Sequence, residues 1–207
     1  MALGTIIRSF AAPTAAPTGL AFDGRTLWHC EYTTNLIYQI DPATGTVIRS
    51  FAAPSTGPGS LTWDRRTLWL SDVVADRIYQ IDPATGTVIR SFAITWANAY
   101  GLTWDGRTLW SSDWSLNRIY QIDPATGTVI RLFNAPGTGP RGLTFDGRTL
   151  WHGDSTSGLI YQIDPATGTV IRSFAAPTVQ VRDLTWDGRT LWSVDFTNQL
   201  IYQIAVS

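Results

Sequence analysis

The tripeptide TLW recurs five times, with its tryptophan at Trp28, Trp69, Trp110, Trp151 and Trp192, always 41 residues apart. The tyrosine of IYQI keeps the same interval at Tyr38, Tyr79, Tyr120, Tyr161 and Tyr202. The stretch IYQIDPATGTVIR is identical in four copies, beginning at Ile37, Ile78, Ile119 and Ile160. A period of this length means that no unit buries its apolar face alone and each must stack on its neighbours. Five units account for all but two of the 207 residues, so the expectation is a single domain over 1–207 without linkers.

Each unit reads as four short strands. From Gly101 they are GLTWD, TLWSSD, RIYQID and TVIRLF, rich in β-branched and aromatic residues and bounded by turn residues. Asp105 and Gly106 form an Asp-Gly turn between the first two. In the DPATG loop Asp123 can bond the backbone two residues on, Pro124 presets φ, and Gly127 can take positive φ. A helical reading fails because every segment is too short or is interrupted by Gly or Pro. Small four-stranded units repeated radially are propeller blades. The expected fold class is therefore all-β, a five-bladed β-propeller with four antiparallel strands per blade. Gly4 to Phe10 match the fourth strand and Leu200 to Ile204 the third, so the N-terminal strand is expected to complete the last blade. This removes an open edge. The expected blades are 20–51, 61–92, 102–133, 143–174, and 184–204 with 5–10.

Fifteen Arg, no Lys and a net charge of −1 give no general attraction to nucleic acid or anionic membrane. No stretch approaches the ~18 apolar residues of a membrane helix. The opening MALGTIIRSF lacks a charged n-region and a cleavage signal, so no secretory peptide is expected and a cytoplasmic location is the default. Cys30 is the only cysteine and forms no internal disulfide. A monomeric closed ring is expected.

Comparison among the five copies separates scaffold from candidate site. The turns between first and second strands, and between third and fourth, hardly vary and share one face. The loops joining blades and those following the second strand vary and share the other. Loops on a rigid scaffold are where function concentrates. Glu31, Asp72, Asp113, Asp154 and Asp195 occupy one position in every blade, which favours a bond to loop backbone over chemistry. The series Arg8, Arg49, Arg90, Arg131 and Arg172 reads the same way. His29 and His152 lie in non-adjacent blades and fall short of the ligands a zinc site needs, so packing is expected, with no metal and no cofactor. Cys30 reads as a small buried thiol. No GxSxG, HExxH or phosphate-cradling motif is present.

Residues that break the repeat remain. Trp96, Tyr100 and Trp114 form an aromatic group on the variable face, suited to a sugar or a peptide anchor or else to capping blade three. Just before each first strand stand Thr18, Gly59, Tyr100, Arg141 and Arg182, near the channel mouth. Paired guanidiniums suit a carboxylate or phosphate, and the alternative is solvated Arg paired with Asp183.

The order GLxWDG, TLWxSD, xRIYQID, GTVIRSF resembles NHL-type and related bacterial propeller repeats over the whole chain. Glutaminyl cyclotransferases of plants and bacteria are five-bladed and have similar DPATG-like hairpins. Their catalytic Glu, carried in unit-specific inserts, has no counterpart here, because Glu31 is the only Glu. The near-identity of the copies points to recent amplification or engineering. The expectation is therefore not an enzyme but a binding scaffold. Its ligand, small and anionic, carbohydrate or peptide, would contact Trp96, Tyr100, Trp114, Arg141 and Arg182. The alternatives are a designed repeat protein without ligand and a lyase- or hydrolase-type propeller enzyme.

Overall fold

A computed structural model describes residues 1–206, and these form twenty strands. Strand β1 spans Ile6–Ala11. Blade one holds β2 (Pro17–Phe22), β3 (Leu27–Glu31), β4 (Leu36–Ile40) and β5 (Val47–Ala52). Blade two holds β6 (Pro58–Trp63), β7 (Leu68–Asp72), β8 (Arg77–Ile81) and β9 (Val88–Ala93). Blade three holds β10 (Ala99–Trp104), β11 (Leu109–Asp113), β12 (Arg118–Ile122) and β13 (Val129–Asn134). Blade four holds β14 (Pro140–Phe145), β15 (Leu150–Asp154), β16 (Leu159–Ile163) and β17 (Val170–Ala175). Blade five holds β18 (Val181–Trp186), β19 (Leu191–Asp195) and β20 (Leu200–Ile204). Each sheet is an antiparallel meander, and the fifth runs β18-β19-β20-β1. Among the described residues no helix is long and apolar enough to cross a membrane.

The N-terminal strand does complete the last blade. Ile6 faces Ile204, Arg8 faces Gln203 and Phe10 faces Ile201, with a shift between Ile6 and Arg8. Blade one shows the same shift, where Gln39 faces Arg49 and Ile40 faces Val47. The borrowed strand therefore reproduces even the irregularity of a covalent fourth strand. First strands open three residues before the boundary read from sequence. At Pro17 a shift against β3 lets pairing with Glu31 continue beyond the regular ladder.

The core lies between blades. Trp28 shares a buried cluster with Leu61, Leu68 and Ile81 of the next blade, and the Phe51 ring tilts against it at 5.9 Å. Its indole N–H donates to Asp23 Oδ2 at 2.8 Å. The same Asp takes the Thr26 hydroxyl at 2.7 Å, and its Oδ1 accepts the N–H groups of Arg25 and Thr26. Asp64, Asp105, Asp146 and Asp187 bind the corresponding Trp in the same way. One carboxylate thus ties the turn to the core in every blade.

The Arg series is structural, as expected. Arg49 donates to Gln39 Oε1 (2.7 Å) and to the Ala84 carbonyl of the next blade (3.0 Å), with its guanidinium 5.3 Å from the Trp28 ring centre. The DPATG glycine is needed twice over. Gly45 has φ +75°, and a Cβ there would meet the Phe10 ring at 2.7 Å.

Candidate active site at the variable mouth of the ring

Four of the five repeated acids take a bond from the loop that enters their blade. Glu31 accepts the Ala16 N–H (3.0 Å), Asp72 that of Gly57 (3.0 Å) and Asp154 that of Gly139 (2.7 Å), while Asp195 takes the Thr178 hydroxyl. Asp113 differs. It accepts Ser115 N–H at 2.8 Å, Leu116 N–H at 3.1 Å and the Tyr120 hydroxyl at 3.4 Å. Burial pushes its carboxyl up, whereas in Glu31 and Asp154 the hydrogen bonds outweigh burial and hold the pKa down.

Trp96 stands where Thr178 donates its hydroxyl to Asp195, and it has no hydroxyl to give. It is buried, and its ring stacks on Tyr120 at 4.3 Å and 11°. It belongs to the core of blade three with Trp69 and Ile78. This corrects the expectation that Trp96 joins Tyr100 and Trp114 as a surface aromatic group. A large apolar ring in a variable loop took the burial open to it.

His29 and His152 are fully buried, and burial drives both pKa values down to about 4, so both are neutral at physiological pH. His29 Nδ1 lies 2.9 Å from the Gly19 carbonyl. Among the described residues no three His, Cys, Asp or Glu side chains group as a metal site. Burial pushes the Cys30 thiol up to about 12, which leaves it unreactive.

The centre of the ring is closed by a polar lacing that the sequence reading missed. The innermost strands approach so closely that a Cβ on Gly142 would lie 2.6 Å from Asp183 Cα. Asp183 is fully buried, and its Oδ2 accepts Leu20 N–H (2.9 Å) and the Ser60 hydroxyl (2.6 Å). Ser60 Oγ in turn accepts Leu102 N–H at 2.9 Å. These bonds run from blade five to blades one, two and three across the axis. Burial raises the Asp183 carboxyl well above its ordinary range. Asp183 therefore faces the axis and makes no partner for Arg182, contrary to the ion pair considered from the sequence.

Above this plug, on the variable face, Tyr100, Trp114, Arg141 and Arg182 come together. The Arg141 guanidinium lies 3.7 Å from the Tyr100 ring centre and 5.4 Å from that of Trp114. Arg182 lies 4.3 Å over Phe196, which the sequence reading did not select. The signal was available, since Phe196 occupies in blade five the position of Trp114 in blade three. Arg141 Nε and Nη1 and Arg182 Nε are buried without a hydrogen-bond partner. Burial, and then the charge of Arg141, lower the Arg182 pKa to about 10. Buried donors almost always find acceptors, so this mouth presents unused hydrogen-bonding capacity.

A cavity of about 530 Å³ opens at the other mouth, lined by Phe22, Trp63, Trp104, Arg65 and the Asp-Gly turns. Apart from Arg65 its residues follow the repeat, with Phe or Trp at one position, and its Asp side chains already bind Trp and Thr. It is scaffold.

The sequence matches the profile of the glutamine cyclotransferase family over residues 11–139, more than half of the chain. The chain belongs to the glutamine cyclotransferase family. Membership overturns the expectation of a non-enzymatic scaffold and points to an enzyme, and it replaces the NHL-type resemblance as the more specific relationship. The expectation rested on the missing catalytic Glu and on the absence of a recognisable catalytic motif or metal-ligand set. This cyclotransferase-family chain has the fold of a glutaminyl cyclase from Myxococcus xanthus, at 15% identity and a TM-score of 0.81, covering 97% of this chain and 94% of that one. Virginiamycin B lyase from Staphylococcus aureus shares the fold at 20% identity and a TM-score of 0.60, covering 96% and 69% of the two chains. A streptogramin B lyase structure does so at 19% and 0.58, covering 96% and 67%. No curated protein matches the sequence.

Proposed function

We propose that this chain cyclises N-terminal glutamine to the lactam, releasing ammonia, in the mouth over blades three to five. Family membership supports the reaction class. The observation that carries the location is the pair of buried Arg141 N–H groups without an acceptor, where the ring departs from its repeat.

The α-amine nitrogen attacks the side-chain carboxamide carbon, and a C–N bond forms as negative charge gathers on the oxygen. Collapse breaks the other C–N bond, and the proton given up by the amine leaves on the departing nitrogen as ammonia. Atoms balance within the substrate. The site therefore has two tasks, to hold amine and carboxamide in reach and to stabilise the oxygen. Arg141, beside the Tyr100 and Trp114 rings, offers donors for that oxygen. Two nearby guanidiniums also disfavour an ammonium, which keeps the α-amine, ordinarily of pKa about 7.7–8.0, in its nucleophilic form. Glu31 takes no part, since Ala16 and Thr34 occupy its oxygens.

The test is ammonia release and lactam formation from a peptide beginning with Gln. Arg141→Gln is expected to lower kcat by about 10²–10³, the usual loss for one oxyanion donor. A wild-type protein that forms no lactam above the uncatalysed rate sinks the reading.

A further inference from the structure

We propose that Arg182 is a carboxylate-binding position, so that the preferred substrates carry a carboxylate within one residue of the reacting glutamine. This rests on the cyclase reading of the same mouth and names its substrate class.

The argument begins with charge. Arg141 and Arg182 occupy equivalent positions in adjacent blades, and each feels a low-dielectric surrounding. Neither has a carboxylate partner. The Asp183 oxygens are taken by Leu20, Ser60, Leu61 and Leu184 on the axis. The Asp195 oxygens hold the Thr178 hydroxyl and the Asn198 N–H. The charge of Asp195 reaches Arg182 without forming an ion pair, so two partly desolvated cations share one carboxylate that is already hydrogen-bonded, and a bound anion relieves the remaining repulsion.

Geometry narrows the anion. The Arg182 guanidinium sits 4.3 Å over the Phe196 ring centre, and its buried Nε lacks an acceptor. A guanidinium fork matches the two oxygens of a carboxylate. Arg141 faces the reacting carboxamide in the proposed pose, so the neighbouring Arg182 meets what lies next to it. That group is either the side chain of an acidic second residue or the free α-carboxylate of a short substrate.

Three lactam products serve as probes in calorimetry: pyroglutamyl-glutamate α-amide, pyroglutamyl-alanine and pyroglutamyl-alaninamide. The first two differ in the source of the carboxylate, and the third has none. At least one carboxylate ligand is expected to bind about tenfold or more tightly than the amide, the effect of one charge-assisted hydrogen bond. Added salt weakens that preference, and Arg182→Gln brings the ratio close to one. Equal binding of all three overturns the proposal, as does a preference that survives Arg182→Gln. Inorganic phosphate binding as tightly as the carboxylates also overturns it, in favour of a general anion site. The corresponding Gln peptides then separate the two claims. A carboxylate preference without turnover of any peptide supports the subsite and sinks the cyclase reading, whereas turnover without preference sinks the subsite alone.

Discussion

Arg65 stands at φ +78° where the other four blades have glycine, at Gly24, Gly106, Gly147 and Gly188, with φ between +95° and +99°. A Cβ at those glycines meets nothing within 4 Å, so the cost at Arg65 is conformational rather than a clash. Arg65→Gly is expected to stabilise the protein by about 0.5–1 kcal/mol, read from urea unfolding midpoints at unchanged slope. An unchanged midpoint would mean that the turn tolerates a side chain at no cost. Arg141 and Arg182 show the opposite relation of residue to environment. Their guanidiniums lie over the Tyr100 and Phe196 rings, while Arg141 Nε and Nη1 and Arg182 Nε are buried without a partner.

At the scale of the element, the strand of greatest consequence is the first. Gly4 N–H and Thr5 C=O pair with Ala205, and Ala12 N–H pairs with the Gln199 carbonyl, so β1 is bonded along its whole length. It also brings Phe10 to the Trp192 ring at 5.9 Å. Removing Met1 to Ala11 leaves β20 as an open edge and takes that packing away. The shortened protein is expected to aggregate or melt far below the full chain, as light scattering and calorimetry would show. A monomer of unchanged melting temperature would contradict the role given to β1. The loop before β10 makes a second point about elements. Placing Trp96 in the core leaves Asp113 without the loop bond its counterparts have, and its pKa moves against those of Glu31 and Asp154.

The whole molecule sums small terms fivefold. Burial pushes the carboxyls of Asp23, Asp64, Asp105, Asp146 and Asp187 up, and hydrogen bonds from Thr, Trp and backbone outweigh it and hold them down. Their folded values lie below the ordinary 3.8, so the unfolded chain binds protons first as pH falls. The stability they supply is complete above about pH 4 and is lost as pH drops through the folded values. His29 and His152 act earlier. Their folded values of about 4 lie below the unfolded 6.5, so their contribution fades as pH falls from 6.5 towards 4. In a calorimetric pH series the melting temperature is expected to fall below pH 4 as these five carboxylates protonate, while between 6.5 and 4 the two histidines lower it and the raised Asp183 carboxyl works the other way. A flat profile down to pH 3 would show that these groups titrate alike in both states. Repetition also decides what was legible in the sequence. The 41-residue period, the Asp-Gly and DPATG turns and the borrowed strand determined the ring and its variable face, because each blade solves the same local problem of turn chemistry and strand alternation. The sequence also marked Tyr100, Trp114, Arg141 and Arg182 as departures from the repeat, and the structure gathers these four at one mouth. Only the tertiary structure decided that Trp96 turns inward, that Phe196 lies beneath Arg182, and that Asp183 joins Ser60 across the axis. Those outcomes depend on the space left between blades far apart in sequence, and a side chain's choice between core and solvent is settled by that space rather than by its position in the repeat.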